Sequence, residues 1–590
     1  MNRHLAKFVS LFALLITLNS GVGAQNRPDD STEEPAKTGA IKGRVVNESG
    51  QPLANASVSV RAYGSVGQSR ITSTDSEGNF QIGDLDPLGY MVSAAAPSYT
   101  LPPRDPNNPQ LTYYRVGDSV RLQLVRGGVI TGMVTTQTGE PVIAVRVRAE
   151  MIRDSNGQPA HYRPLFRERT TDDRGIYRIY GLAPGTYVVS AGGVGSSPYN
   201  STAYDTDAPT YAPSSTRNDA VQINIGTGQE INNLDIRYRG EPGHAISGTV
   251  VGLVGASPGS GFNISLSSVQ QGLMQSSHSI FQPPGSSGFA IYGVADGEYD
   301  VTAQVFVQGG EWSISDSKRI KVKGADITGL ELVPKPLASI KGRVVLEESK
   351  TPECKGKLRP SFAEMLVTAW HNQNEARNRP PFAFAYGSPA VVDKQGDFAL
   401  RNLATGEYRF NPRFFAKYWY LQSITLPSSI NAASKPAKPS QDRAGNWTIV
   451  KSGDRISGLT ITLAEGAASF RGSVHIAEGD TVPGRINVHL IPAEKDKADD
   501  VLRYFTVAVG ADRKFSVNNV PPGRYLTLVS VVADNEPAIS KLNWPGENEA
   551  RAKLRLQAEA GKTEIELKPC QNLIDRRLFL KQPTRASTPD

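Results

Sequence analysis

Ile41-Lys-Gly-Arg-Val-Val46, Thr74-Asp-Ser-Glu-Gly-Asn-Phe80 and Gly89-Tyr90-Met-Val-Ser-Ala94 are the stretches whose reading decides the fold. Asp75-Ser-Glu-Gly78 supplies a side-chain oxygen for the turn backbone and a glycine free to take positive φ. Phe80 and Ile82 then alternate with polar residues, the period of a half-buried strand. The Gly89-Tyr90 turn feeds a second alternating strand, so the segment reads as paired antiparallel strands. The opening strand has a central glycine, Gly43.

The same unit recurs. Ile130-Thr-Gly-Met-Val134, Ile246-Ser-Gly-Thr-Val250, Ile340-Lys-Gly-Arg-Val344 and Phe470-Arg-Gly-Ser-Val474 repeat the opening strand. Tyr177 to Tyr187, Phe289 to Tyr299, Phe398 to Tyr408 and Phe515 to Tyr525 repeat the hairpin. Strict alternation in Ala56–Ala62, Val145–Met151 and Ile486–Leu490 predicts strands with one wet face. Val120–Leu124, Leu234–Tyr238, Leu330–Leu332, Leu459–Leu463 and Glu564–Leu567 read as closing strands. Short strands with turns at regular intervals predict an all-β chain, a tandem array of about five antiparallel sandwiches of immunoglobulin-like or prealbumin-like kind. The expected boundaries are 40–126, 127–240, 241–336, 337–465 and 466–569, with a tail at 570–590. Connections such as Val125–Gly128 and Glu465–Ser469 are too short to be flexible tethers, which predicts a semi-rigid rod.

The opening strand, the Glu48–Leu53 loop, the strand Ala56–Val60 and the Thr74–Phe80 turn together resemble the carboxypeptidase regulatory-like domain. Its prealbumin-like sandwich is similar to Cna B-type domains and to carbohydrate-binding-like sandwiches. The resemblance spans residues 40–568, with the Asp-x-x-Gly turn altered at Ser287-Gly288 and Asp512–Lys514. It implies non-catalytic modules found beside enzymes, on adhesins or at the start of outer-membrane receptors. It also implies a Lys–Asn cross-link in the Cna B-type relatives. Lys42 or Lys341 would be the lysine, but Val120–Leu124 contains no Asn.

Composition bounds what such an array does. Charged residues are 21% and hydrophobic ones 39%, with 56 Gly and 40 Pro, too apolar for disorder and too rich in turn formers for a helical chain. Met1–Ala24 reads as an export signal: Arg3 and Lys7, the apolar run Phe8–Leu18, then Val22-Gly23-Ala24. Residues 25–39 read as a disordered lead-in. A net charge of +7, from which the signal removes two, is too dilute for a nucleic-acid footprint. No later segment is apolar over the roughly 20 residues of a membrane span. The expectation is a secreted or periplasmic protein associated with the cell envelope. Cys354 and Cys570 are 216 positions apart and leave two states open, a disulfide or two buried thiols.

Catalytic and metal signatures are missing from the sequence. His161, His244, His278, His371, His475 and His489 stand in no metal-ligand spacing, and His489 falls on the polar phase of its strand. Gly255-Ala-Ser-Pro-Gly259 matches a nucleophile elbow only formally, because it lacks a preceding buried strand and a following helix. Asp75, Asp172 and Asp393 are turn residues rather than a calcium set, and no cofactor is expected. Aromatic placement gives the one hint of a ligand. Phe414–Tyr420 holds five aromatics in seven positions, and Tyr418 and Tyr420 cannot share a strand face with Trp419. Exposed rings stack on sugars, so Tyr418, Trp419, Tyr420 and Trp447 are the candidate ligand-binding residues. The loop Ser196–Arg217, with Tyr199, Tyr204 and Tyr211, is a second exposed candidate. The reading is a non-enzymatic array that binds polysaccharide at the envelope. Its alternative is a spacer or protein-adhesion module that binds an envelope protein.

Overall fold

The structure, a computed structural model, describes residues 38–580 apart from 65–68, 103–112, 156, 158–165, 194–201, 253–260, 271–272, 284, 308–311, 373–388, 428–440, 477–484, 511 and 533–541. The signal and nearly all of the lead-in, the Gly255–Gly259 loop, Ser196–Ser201 with Tyr199, and the tail beyond residue 580 lie outside the described residues.

Each opening strand lies between the first hairpin strand and the closing strand. In the first sandwich Gly39–Val46 has Asn79–Leu85 on one side and Ser119–Gln123 on the other. A second sheet, Ser69–Ser73, Ser57–Ala62, Gly89–Ala95 and Tyr114–Arg115, closes over it. The arrangement recurs five times, each time around its own apolar cluster. The chain is therefore an all-β tandem array of sandwiches. They are antiparallel except at one place: the opening and closing strands always run parallel.

That parallel pair explains the glycine. Gly43, Gly132, Gly248, Gly342 and Gly472 stand opposite Phe80, Tyr177, Phe289, Phe398 and Phe515 across the antiparallel pair. A Cβ at any of the five would collide with a closing-strand carbonyl, that of Val120, Leu234, Leu330, Leu459 or Arg576. The neighbouring ring covers the backbone that the glycine leaves bare.

Two further devices repeat in all five units. The tyrosine after the hairpin turn donates its hydroxyl to the carbonyl four residues earlier: Tyr90 to Asp86, Tyr187 to Ala183, Tyr299 to Ala295, Tyr408 to Ala404 and Tyr525 to Pro521, at 2.8–3.0 Å. This is a tyrosine corner, which pins the turn to the core. In addition, the register against the opening strand slips near the end of each first hairpin strand. Asp84, Gly181, Gly293, Asn402 and Asn519 take positive φ at this bulge, residue types that tolerate it.

The bulge is also the joint. Gly127, just before the second opening strand, packs on Gly181, and Gly243 packs on Gly293. Asn402 Oδ1 accepts from the Trp312 amide of the third sandwich at 3.1 Å. Asn519 Nδ2 donates to the carbonyls of Ala416 and Trp419 in the fourth. Backbone bonds such as Gly243 N to Thr206 O and Leu337 N to Trp312 O reinforce these joints.

The last two units depart from the plan. In the fourth sandwich, Trp419–Leu426 adds a strand to the outer edge of the closing strand Arg455–Glu465. In the fifth, the closing strand is Asn572–Phe579. Glu564–Leu567 instead joins the other sheet beside Gly523–Val532, so the expected closing strand and the 569 boundary are corrected to the segment first read as tail. The helix Asn548–Gly561 packs Ala558 and Leu554 on the outside of that sheet, against Ile491 and Leu526. Cys354 and Cys570 form a disulfide between these two sandwiches, with 5.4 Å between Cα atoms.

Sandwiches that are not consecutive along the chain also touch. Tyr113 of the first sandwich stacks on Phe415 of the fourth at 4.5 Å, and the Arg115 guanidinium lies 5.0 Å from the Phe415 ring centre. Arg115 also reaches Glu364 at 3.7 Å.

Candidate functional site

Trp419 begins the added strand of the fourth sandwich and is 1% exposed, packed in the core with Tyr408, Leu463 and Ile461. Its ring presents no face to solvent, because its phase of the strand points between the sheets. Tyr418 is half-buried, accepts a hydrogen bond from Asn572 Nδ2 at 3.1 Å and has the Lys357 ammonium 4.6 Å from its ring centre. The hydrogen bond from Asn572 holds its hydroxyl below the ordinary tyrosine range. Tyr420 is half-buried, and desolvation raises its pKa. These three residues build the joint to the fifth sandwich, where the Tyr418 carbonyl also accepts from the Gly466 and Ala467 amides.

Trp447 belongs to the other sheet, just before Thr448–Val450. The structure therefore does not unite it with Tyr418–Tyr420. Its partner is Trp544, edge to face at 6.5 Å. Trp544, from the segment before the helix, lies 4.0 Å from the Arg409 guanidinium, which is 5.1 Å from its cross-strand partner Trp370. Burial lowers the Arg409 pKa to about 10. The three half-buried tryptophans and Arg409 make a ledge where the fourth and fifth sandwiches meet. Trp544 and Trp370 join this ledge without having been picked out from sequence, since the tryptophans lie far apart along the chain.

Two further expectations change. Tyr211 is 9% exposed and Tyr204 packs edge-on to Tyr238 of the second core, so the two described tyrosines of the Ser196–Arg217 loop face inward. His489 is 6% exposed rather than solvated. Its ring nitrogens bond Thr506 Oγ1 at 2.9 Å and Ser530 Oγ at 2.8 Å, and burial lowers its pKa to about 4. Lys42 and Lys341, the lysines the Cna B-type resemblance would cross-link, are exposed on the outer face.

The Asp turns are built as read. Asp75 Oδ1 accepts from the Glu77 and Asn79 amides, Asp172 Oδ1 from Arg174 and Ile176, and Asp393 Oδ1 from Gln395 and Asp397. Among the described residues, no group of three His, Cys, Asp or Glu is placed to hold a metal ion. Among them, also, no helix is long and apolar enough to cross a membrane.

A groove runs along the opening strand on the outer face of two sandwiches. The first, about 670 Å³, runs over Gly43 and Phe80 beside Lys42, Arg44 and Arg121. The second, about 560 Å³, runs over Gly342 and Phe398 beside Lys341 and Arg343.

Residues 40–105 match the sequence profile of the carboxypeptidase regulatory-like domain. The first sandwich is a domain of that kind, and the Gly–aromatic pair, bulge and tyrosine corner carry its plan through the other four. No curated protein matches the sequence. Among solved structures, the chain is similar to the TIE protein of Bacillus anthracis at 13% identity and a TM-score of 0.14, covering 51% of this chain and 50% of that one. It is similar to BcpA, the major pilin subunit of Bacillus cereus, at 10% identity and a TM-score of 0.15, covering 50% of this chain and 99% of the pilin. It is also similar to GBS52, a minor pilin of Streptococcus agalactiae, at 12% identity and a TM-score of 0.18, covering 34% of this chain and 94% of the pilin. The chain thus spans about half the length of the TIE protein.

Proposed function

We propose that the protein is a non-catalytic structural module of the cell envelope, secreted or periplasmic, that holds envelope components at a fixed spacing. The observation that carries this reading is the joint. At four successive boundaries the bulge of one sandwich meets the preceding sandwich or the linker ahead of its own opening strand, and a disulfide bridges the last two sandwiches. A chain built only to present independent binding modules has no use for such fixed joints. Residue-resolved NMR relaxation on the exported chain tests the reading. Joint residues as rigid as the sandwich cores support it. Independent tumbling of successive sandwiches overturns it.

The second reading, a carbohydrate-binding array, is favoured by the ledge of Trp370, Trp447 and Trp544. Half-exposed indole faces at a junction are suited to stacking on pyranose rings. Binding on a glycan array that is lost in Trp447→Ala supports it. Binding that survives the substitution removes Trp447 from the site.

A further inference from the structure

We propose that the outer face of the first sandwich binds an anionic polysaccharide, a polymer of uronic acids, in the groove over Gly43. Lys42 and Arg44 are alternate residues of the opening strand and so share one face. The parallel closing strand sets Arg121 opposite Arg44 and Ser119 opposite Lys42. Like charges directly opposite on a sheet destabilise it, and a bound carboxylate relieves that repulsion. Glu77 offsets Arg44 in part, with 3.8 Å between charged atoms and a hydrogen bond from Arg44 Nε to the Glu77 carbonyl. Among the described residues, the Lys42 and Arg121 side chains form no ion pair.

The fourth sandwich is an internal control. It repeats Ile-Lys-Gly-Arg-Val-Val at 340–345 and has the same groove, but Arg343 stands opposite Thr460 and is held by both carboxylate oxygens of Asp397 at 2.6 and 2.9 Å. Of the two grooves, the first has the surplus of cations.

The other lining groups select the source of the anion. Asp75, Asn79 and Gln81 share the groove with the cations. Sugar hydroxyls donate to the Asp75 carboxylate and exchange hydrogen bonds with the amides, whereas a polyphosphate offers acceptors only. The inference goes beyond the spacer reading and uses none of the tryptophan ledge, so each stands or falls alone.

The test is affinity electrophoresis and titration calorimetry of the full chain with polygalacturonate, with dextran and polyphosphate as comparison probes, at low and at physiological salt. The expected result is binding to polygalacturonate that weakens with salt, and none to dextran. Lys42→Ala combined with Arg121→Ala should weaken it by roughly tenfold or more, by loss of two charge-assisted contacts. Lys341→Ala should leave it unchanged. Both residues of the double variant are exposed and one opposes a like charge, so its thermal transition should be no lower than the parent's and separate lost binding from misfolding. Absence of polygalacturonate binding at low salt, full binding by the double variant, or tighter binding of polyphosphate would each overturn the proposal.

Discussion

The first sandwich and the fourth–fifth pair are built on the same frame and use it differently. The first keeps a three-stranded opening sheet with the outer edge of Ser119–Gln123 unpaired among the described residues. In the fourth that edge is covered by Trp419–Leu426, and the fifth adds a helix over its second sheet. The additions are joinery: Trp419 fills a core, Tyr418 and the Trp419 carbonyl bond the next sandwich, and Trp544 caps the Arg409–Trp370 stack. The lesson is that a repeated frame tolerates insertions at its edges, and that those insertions set how units are connected.

The largest expected effect that separates the two regions is loss of the disulfide. Closing a 216-residue separation contributes about 5 kcal/mol in the chain-entropy view. In Cys354→Ser, calorimetry should show the transition of the last two sandwiches shifted to lower temperature and that of the first unmoved. A uniform shift of all transitions would erase the contrast. Next comes Trp419→Ala, which should cost about 3–5 kcal/mol for a fully buried indole. Tyr418→Phe, removing the one half-exposed hydrogen bond from Asn572, should cost about 1 kcal/mol. Denaturant melts of the two variants check the ratio, and equal losses would contradict the placement of the two rings.

The fifth sandwich should show a pH effect of its own. His489 has its pKa depressed to about 4, so it is neutral in the folded state near neutral pH. Its contribution is present above the unfolded value of about 6.5 and is lost as pH falls toward 4, by about 3 kcal/mol in all. Hydrogen exchange of Arg485–Pro492 at stepped pH should show this loss, and His489→Gln should flatten it. The smallest effect should be common to both regions. Tyr90→Phe and Tyr408→Phe each remove one corner bond and should each cost about 1 kcal/mol, read from paired melts. Unequal costs would show that the frame is not equivalent in the two units.

Much of the frame was legible because each part has a local signal. The opening glycine, the Asp turn and the Gly-x-Tyr turn are short motifs with a physical reason at each position. The bulge was equally present, in Gly83-Asp84, Tyr180-Gly181, Tyr292-Gly293, Arg401-Asn402 and Asn518-Asn519, but it sits inside a strand, where it reads as mere interruption. Glu564–Leu567 was mistaken for the closing strand because it alternates cleanly, whereas the true one is broken by Asp575 at positive φ. The site was less legible. Alternation separates Trp419 from Tyr418 and Tyr420, yet it cannot say which phase meets the core. His489 looked wet because its hydrogen-bond partners, Thr506 and Ser530, are remote in sequence.

The bulge has a consequence for how such a chain grows. The bulge residue and the linker residue ahead of the opening strand, such as Asn519 and Ala467, belong to one unit, and what they touch belongs to the unit before. Every sandwich after the first therefore carries its own socket. A cassette cut ahead of its linker residue brings its connector with it when duplicated or transplanted, so the array can be lengthened by gene duplication with no new joint to invent.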